Sequence, residues 1–214
     1  MHRWHRRIRP ITALALAGLA AGCSVLSPKP DLSHSYVLEP APNKATPAPP
    51  PDPTLSLAVD YTEMPVYLDR PQMVARLSNH QPYIDEYHRW LEPLSAGFSR
   101  VLAQDIAQMA DSTHVAAYPL PTAFSHDFEV HVTVTQFDGA PGGTVTLHAQ
   151  WRISGPGGKP TYFSHDTTVT RPAAPGPDPA VAYVDALSRL VSDLAREIVL
   201  QMPEAHAAQS TLRR

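Results

Sequence analysis

A single cysteine, Cys23, stands in a chain of 214 residues. Disulfide frameworks need pairs, so none braces this chain, and one odd cysteine near the start asks for its own account. Long apolar runs are missing too. The run near the start, Ile11 to Ala21, is eleven residues broken only by Thr12, whereas a helix crossing the hydrocarbon of a bilayer needs about 20. Charged residues make up only 17% of the chain, against 43% hydrophobic ones, so stability has to come from packing. No Gly-x-Ser-x-Gly elbow and no glycine-rich phosphate loop occur. Ser125-His126-Asp127 is contiguous, whereas a catalytic triad converges in space and not along the chain. The reading is therefore non-enzymatic, with no cofactor. No internal repeat is present.

What is there begins at the first residue. Met1 to Arg9 carries Arg3, Arg6, Arg7 and Arg9 and no acid. A basic patch, a short apolar run and small residues after it make a secretory signal peptide. Its removal takes away four arginines and moves the formal charge from −3 to −7. No basic patch survives, which argues against a nucleic-acid partner.

Ala20-Ala21-Gly22-Cys23 resembles the lipobox of bacterial lipoproteins. The resemblance implies cleavage between Gly22 and Cys23 and acylation of Cys23 as the first mature residue with three fatty acyl chains, palmitate among them. Ala20 departs from the pattern, which usually carries a large aliphatic residue there. Several acyl chains hold a protein stably where one does not. Ser24 follows the cysteine where an Asp would signal retention, and by resemblance to the family sorting rule this favours the periplasmic side of the outer membrane. The expected division is a signal peptide over 1–22, a lipidated tether over 23–33, a domain over 34–202, and a loose polar tail over 203–214. The ten residues from Ser24 to Ser33 reach at most about 35 Å.

Along the domain, Tyr36 to Leu38 is a short strand candidate. Seven prolines between Pro40 and Thr54 make a stiff extended loop. Leu55 to Tyr61 alternates as a strand, and Gln72 to Leu77 with Tyr83 to His88 reads as a hairpin around the turn residues Asn79 to Pro82. Pro93 opens a helix whose apolar stripe is Leu94, Phe98, Leu102, Ile106 and Met109. Phe128 to Thr135 and Val145 to Ile153 alternate apolar and polar residues around the glycine-rich turn Asp138 to Gly143. Thr161 to Thr170 is polar enough for an edge strand. Asp178 and Pro179 start a second helix, with Tyr183, Val184, Leu187, Leu190, Val191, Leu194 and Ile198 on its buried face; Pro203 should stop it after Met202. The order is short strands, a helix, a strand, an antiparallel meander and a helix. This is an α/β fold: one compact domain with a mixed or mainly antiparallel sheet and two long amphipathic helices packed on it.

Two blocks carry a family resemblance: Pro65-Val66-Tyr67-Leu68-Asp69-Arg70-Pro71-Gln72-Met73-Val74-Ala75-Arg76, and His88-Arg89-Trp90-Leu91-Glu92-Pro93-Leu94. Both resemble the PqiC-type family of ABC-type transport auxiliary lipoproteins, over nearly all of the chain after Cys23. The resemblance implies a compact α/β lipoprotein without enzyme activity. It implies association with an MCE-type (mammalian-cell-entry) protein and its permease complex, which carry lipid between the membranes and support envelope integrity. Self-association is a further expectation, since conduit partners form rings.

Within these blocks, Asp69, Arg70, Arg76, Arg89 and Glu92 are three cations against two anions. They form either an ion-pair network fixing the segment over the first helix, with Glu92 favoured at the helix start, or a docking edge for the partner. Trp90 reads as a core anchor, and Tyr67 fits either role. Other readings stay open. His126, His131, His148 and His165 gather in the meander, with His131 and His148 on its polar face; they are either an exposed polar surface or a metal-binding or hydrolytic centre, although their spacing matches no strong metal motif. A structural lipoprotein of envelope assembly is the remaining alternative.

Overall fold

The computed structural model describes residues 31–41, 50–78, 81–174 and 176–212. Cys23, the signal peptide, most of the tether, the middle of the proline-rich loop and the turn residues Asn79 and His80 lie outside them. The chain divides into two units, Met1–Leu32 and Ser33–Arg214, and the second holds every element below.

Eight strands and two long helices follow one another: β1 (His34–Tyr36), β2 (Ser56–Val59), β3 (Gln72–Ser78), β4 (Gln81–Trp90), α1 (Leu94–Ala110), β5 (His114–Ala117), β6 (Phe128–Gly139), β7 (Thr144–Ser154), β8 (Thr161–Pro172) and α2 (Pro179–Leu212). The strand expected between the first helix and the meander is β5. The strands make a five-stranded sheet in the order β5-β2-β6-β7-β8 and a three-stranded sheet in the order β1-β4-β3. In the larger sheet β2 is parallel to both β5 and β6, and the β6-β7-β8 meander is antiparallel. In the smaller one β3 and β4 form the expected hairpin and β1 runs parallel to β4. The fold is α/β with mixed sheets and the long helix packed on the larger one.

Alternation decides which face is buried. Phe128, Val130, Val132 and Val134 of β6, with Val145, Leu147, Ala149, Trp151 and Ile153 of β7, turn inward and meet the helices. The stripe Leu94, Phe98, Leu102, Ile106 and Met109 of α1 is buried throughout, and so are Tyr183, Leu187, Leu190, Val191, Leu194 and Ile198 of α2. Phe98 meets Phe137 edge-on, with ring centroids 5.2 Å apart, a favoured aromatic arrangement.

The helix ends show how local chemistry works at a distance. Asp178 caps α2, accepting the amides of Ala180 and Val181 at 2.9 and 3.2 Å, with Pro179 as the first helical residue. Pro93 is the cap residue of α1 and has no polar side chain. Asp69, 26 residues away in sequence, supplies the missing acceptor: it takes the Ser95 amide at 3.0 Å and the Ser95 hydroxyl at 2.9 Å.

One expectation is corrected. Pro203 does not end α2, which continues to Leu212, so the residues after Met202 are helical and not an open tail. Tertiary contacts account for it. Ala205 is fully buried, the His206 ring stands edge-on to Phe128 at 4.6 Å and reaches Asp52 at 3.1 Å, and Gln209 donates to the Asp127 carbonyl at 3.3 Å. Together these outweigh the amide that proline cannot offer.

Candidate functional site

The segment Pro65 to Arg76 leads into the small sheet and is pinned at both ends. Leu68 folds back onto the Pro65 carbonyl at 2.9 Å and is buried. Arg76 of β3 holds Asp138 of β6 through Nε to Oδ1 and Nη2 to Oδ2, both 2.8 Å. The Tyr67 hydroxyl accepts from Arg76 Nη2 at 2.9 Å and donates to Asp138 Oδ2 at 3.2 Å, and Gln136 adds a donor at 3.0 Å. Asp138 has no exposed surface. A forked guanidinium facing a carboxylate is the strongest side-chain pairing available to a buried acid. Hydrogen bonding to Asp138 raises the Arg76 pKa despite some burial, and burial followed by the Asp138 charge raises that of Tyr67. Close by, the Tyr183 hydroxyl donates to the Val74 carbonyl at 2.8 Å. The Arg76 and Tyr67 bonds to Asp138 lock the small sheet to the large one, and the Tyr183 bond ties it to α2.

The other predicted residues go elsewhere. Asp69 caps α1. Arg70 donates to Gln72 at 3.2 Å, Arg89 donates to the Glu86 carbonyl at 3.2 Å, and Glu92 pairs with Arg100, which also reaches the Leu38 carbonyl at 2.9 Å. Trp90 is a core residue, 7% exposed. Among the described residues, Asp69, Arg70, Arg76, Arg89 and Glu92 do not join in one network, and Tyr67 meets Arg76. Their anion is Asp138, which the sequence pattern places in a turn and the structure places at the end of β6. The signal for it was an acid closing an otherwise apolar-alternating strand.

Two surfaces remain open. Around the β3–β4 hairpin, Leu77, Tyr83, Ile84, Tyr87 and Leu91 are exposed. β8 pairs only with β7 among the described residues, so it is an edge strand, as its polarity suggested.

The four meander histidines do not converge. His148 lies between the Thr135 hydroxyl at 2.8 Å and Asp166 at 2.9 Å. His165 sits against the Trp151 and Phe163 rings, and His126 against Phe124. His131 has richer company: Nδ1 meets Asp60 Oδ2 at 2.9 Å, while Nε2 faces Ser154 Oγ at 3.1 Å and Glu129 Oε2 at 3.5 Å. Asp60, His131 and Ser154 thus have the connectivity of a hydrolytic triad. However, Ser154 is fully buried, and its hydroxyl also points to the Glu129 carbonyl at 3.3 Å. Four open clefts of about 430–690 Å³ indent the described surface, and none is lined by Ser154 or His131.

The two sheets and two helices make an α/β body whose sheets are fastened to each other by Arg76, Tyr67 and Asp138, with β8 at an edge among the described residues. The chain belongs to the family of ABC-type transport auxiliary lipoprotein components, whose model matches residues 36–199. A solved Xanthomonas campestris protein shares 15% identity with a TM-score of 0.60, covering 83% of this chain and 98% of its own. A second solved structure, of an uncharacterized protein, shares 20% identity with a TM-score of 0.57, over 78% and 98%. Both likenesses are of fold. No curated protein sequence matches the chain.

Proposed function

We propose that this chain is an outer-membrane lipoprotein, anchored through acylated Cys23 on the periplasmic side. It serves as a non-enzymatic subunit of an MCE-type system that moves phospholipid between the two membranes. The family match over 36–199 carries the reading, because it spans nearly every element of the core. Three features support it: the export signal ending at a lone cysteine, motif residues spent on fastening, and a fully buried hydroxyl in the Asp60–His131–Ser154 chain. The partner is an MCE-domain protein with its permease complex, and the free edge of β8 is the surface offered to it, since an unpaired strand edge accepts a partner strand through main-chain hydrogen bonds.

Affinity capture in mild detergent tests the partner: the MCE protein of the same organism should be recovered with the parent chain. In the complex, amide exchange along Thr161–Pro172 should slow. Failure to recover the MCE protein with either the parent or a Cys23→Ser form would count decisively against the transport role.

A further inference from the structure

We propose that Asp60, Glu129 and His131 form a binding site for a divalent transition-metal ion of the zinc class. Glu129 and His131 are two apart on β6, so the pleat puts both on the face opposite Val130 and Val132. Asp60 directly follows β2, which runs parallel beside β6. One donor atom from each of the three lies within 4.8 Å of the others. Ligands held about 2.1 Å from a tetrahedral ion stand about 3.4 Å apart. His131 Nε2 and Glu129 Oε2 already stand 3.5 Å apart. Asp60 Oδ2, 2.9 Å from Nδ1, fixes the tautomer and plane of the ring, as carboxylates beside metal-bound histidines do.

Charge points the same way. Glu129 is only 3% exposed, and a buried carboxylate needs a positive partner. Two carboxylates here face one imidazole. Arg152, opposite His131 in the β6–β7 ladder, is exposed and pairs with neither acid among the described residues. A divalent ion matches the two negative charges.

The surroundings are shaped around this point. The Gly158 amide donates to Glu129 Oε2 at 2.8 Å. Gly158 has φ +77, and a Cβ there would stand 3.5 Å from the His131 ring, so glycine lets the turn close over the site. Tyr118 borders it too, its phenol hydrogen-bonded to Glu129. The Asp60 side chain is 32% exposed, which leaves a way in. Mixed imidazole and carboxylate donors suit zinc and its neighbours, whereas magnesium and calcium take all-oxygen sets.

The test uses the full chain purified in detergent without a histidine tag and stripped with chelator. Zn²⁺ is titrated by calorimetry and Co²⁺ by visible absorption. About one ion per chain should bind and Co²⁺ should show a ligand-field band. At a hundredfold excess of Zn²⁺ over its Kd, Tm should rise by about 5–10 °C. His131→Gln should abolish all three signals, and Asp60→Asn should weaken binding at least about tenfold. Melting of each metal-free variant reports whether its fold is intact, and Asp60, on the rim, provides a substitution that leaves the core untouched. Absence of stoichiometric binding to the parent, or binding unchanged in either folded variant, overturns the assignment.

Discussion

Asp105 sits on α1 among apolar neighbours with 1% of its surface exposed, and neither carboxylate oxygen has a hydrogen-bond partner of good geometry among the described residues. Burial pushes its pKa up to about 7, with the Ala41 amide opposing only weakly. The unfolded chain ionises this group near 4. A raised carboxyl pKa destabilises the folded state as pH climbs: the penalty is absent below about pH 4, grows up to about pH 7, and is complete above that. Its full size is on the order of 3–4 kcal/mol. Asp105→Asn should therefore gain stability at pH 8 and little at pH 4, and its denaturation midpoint should lose most of the parent's slope between those values. An unchanged slope would mean that the carboxylate reaches water. Arg76 is the opposite case. Arg76→Ala leaves buried Asp138 without its cation, and removing one partner of a buried pair costs about 3–5 kcal/mol. Urea unfolding measures it, and a loss under about 1 kcal/mol would show that solvent enters to replace the guanidinium.

At the scale of elements, α2 contains its own experiment. Pro203 lies inside a helix of 34 residues, and proline in a helix interior costs about 3 kcal/mol relative to alanine. Local adjustment around the ring recovers part of that. Pro203→Ala should raise stability by about 1–3 kcal/mol, read as a higher Tm with unchanged helix content; a lower Tm would show that the ring itself packs usefully. The same helix shows what a sequence pattern can and cannot carry. Periodicity reports faces, so the stripes of α1 and α2 and the alternation of β6 and β7 were legible with their buried residues. The N-terminal cap of α2 was legible too, because Asp178 acts on amides two and three residues ahead. What escaped depends on distant partners: α2 continuing past Pro203 through His206 and Asp52, Asp69 capping a helix 26 residues on, Asp138 receiving Arg76 across two sheets. Asp60 joining Glu129 and His131 is of the same kind, since nothing in its neighbourhood along the chain points to β6.

For the whole molecule, the fold and the anchor make separable demands. The body from Ser33 onward buries its own core and fastens its two sheets through Arg76, Tyr67 and Asp138. Among the described residues no helix is long and apolar enough to cross one. In the proposed role, attachment comes from acylated Cys23. Acyl chains contribute about 0.8 kcal/mol per buried methylene, and more than one chain is needed for stable residence. Replacing one sulfur atom by oxygen in Cys23→Ser should leave melting behaviour unchanged while moving the protein from the outer-membrane fraction to the soluble periplasm. Mass spectrometry of the parent should show acyl chains on a mature chain beginning at Cys23. If Cys23→Ser stays in the membrane fraction, the body itself must adhere there, and the exposed strip of Leu77, Tyr83 and Tyr87 would be the first place to substitute.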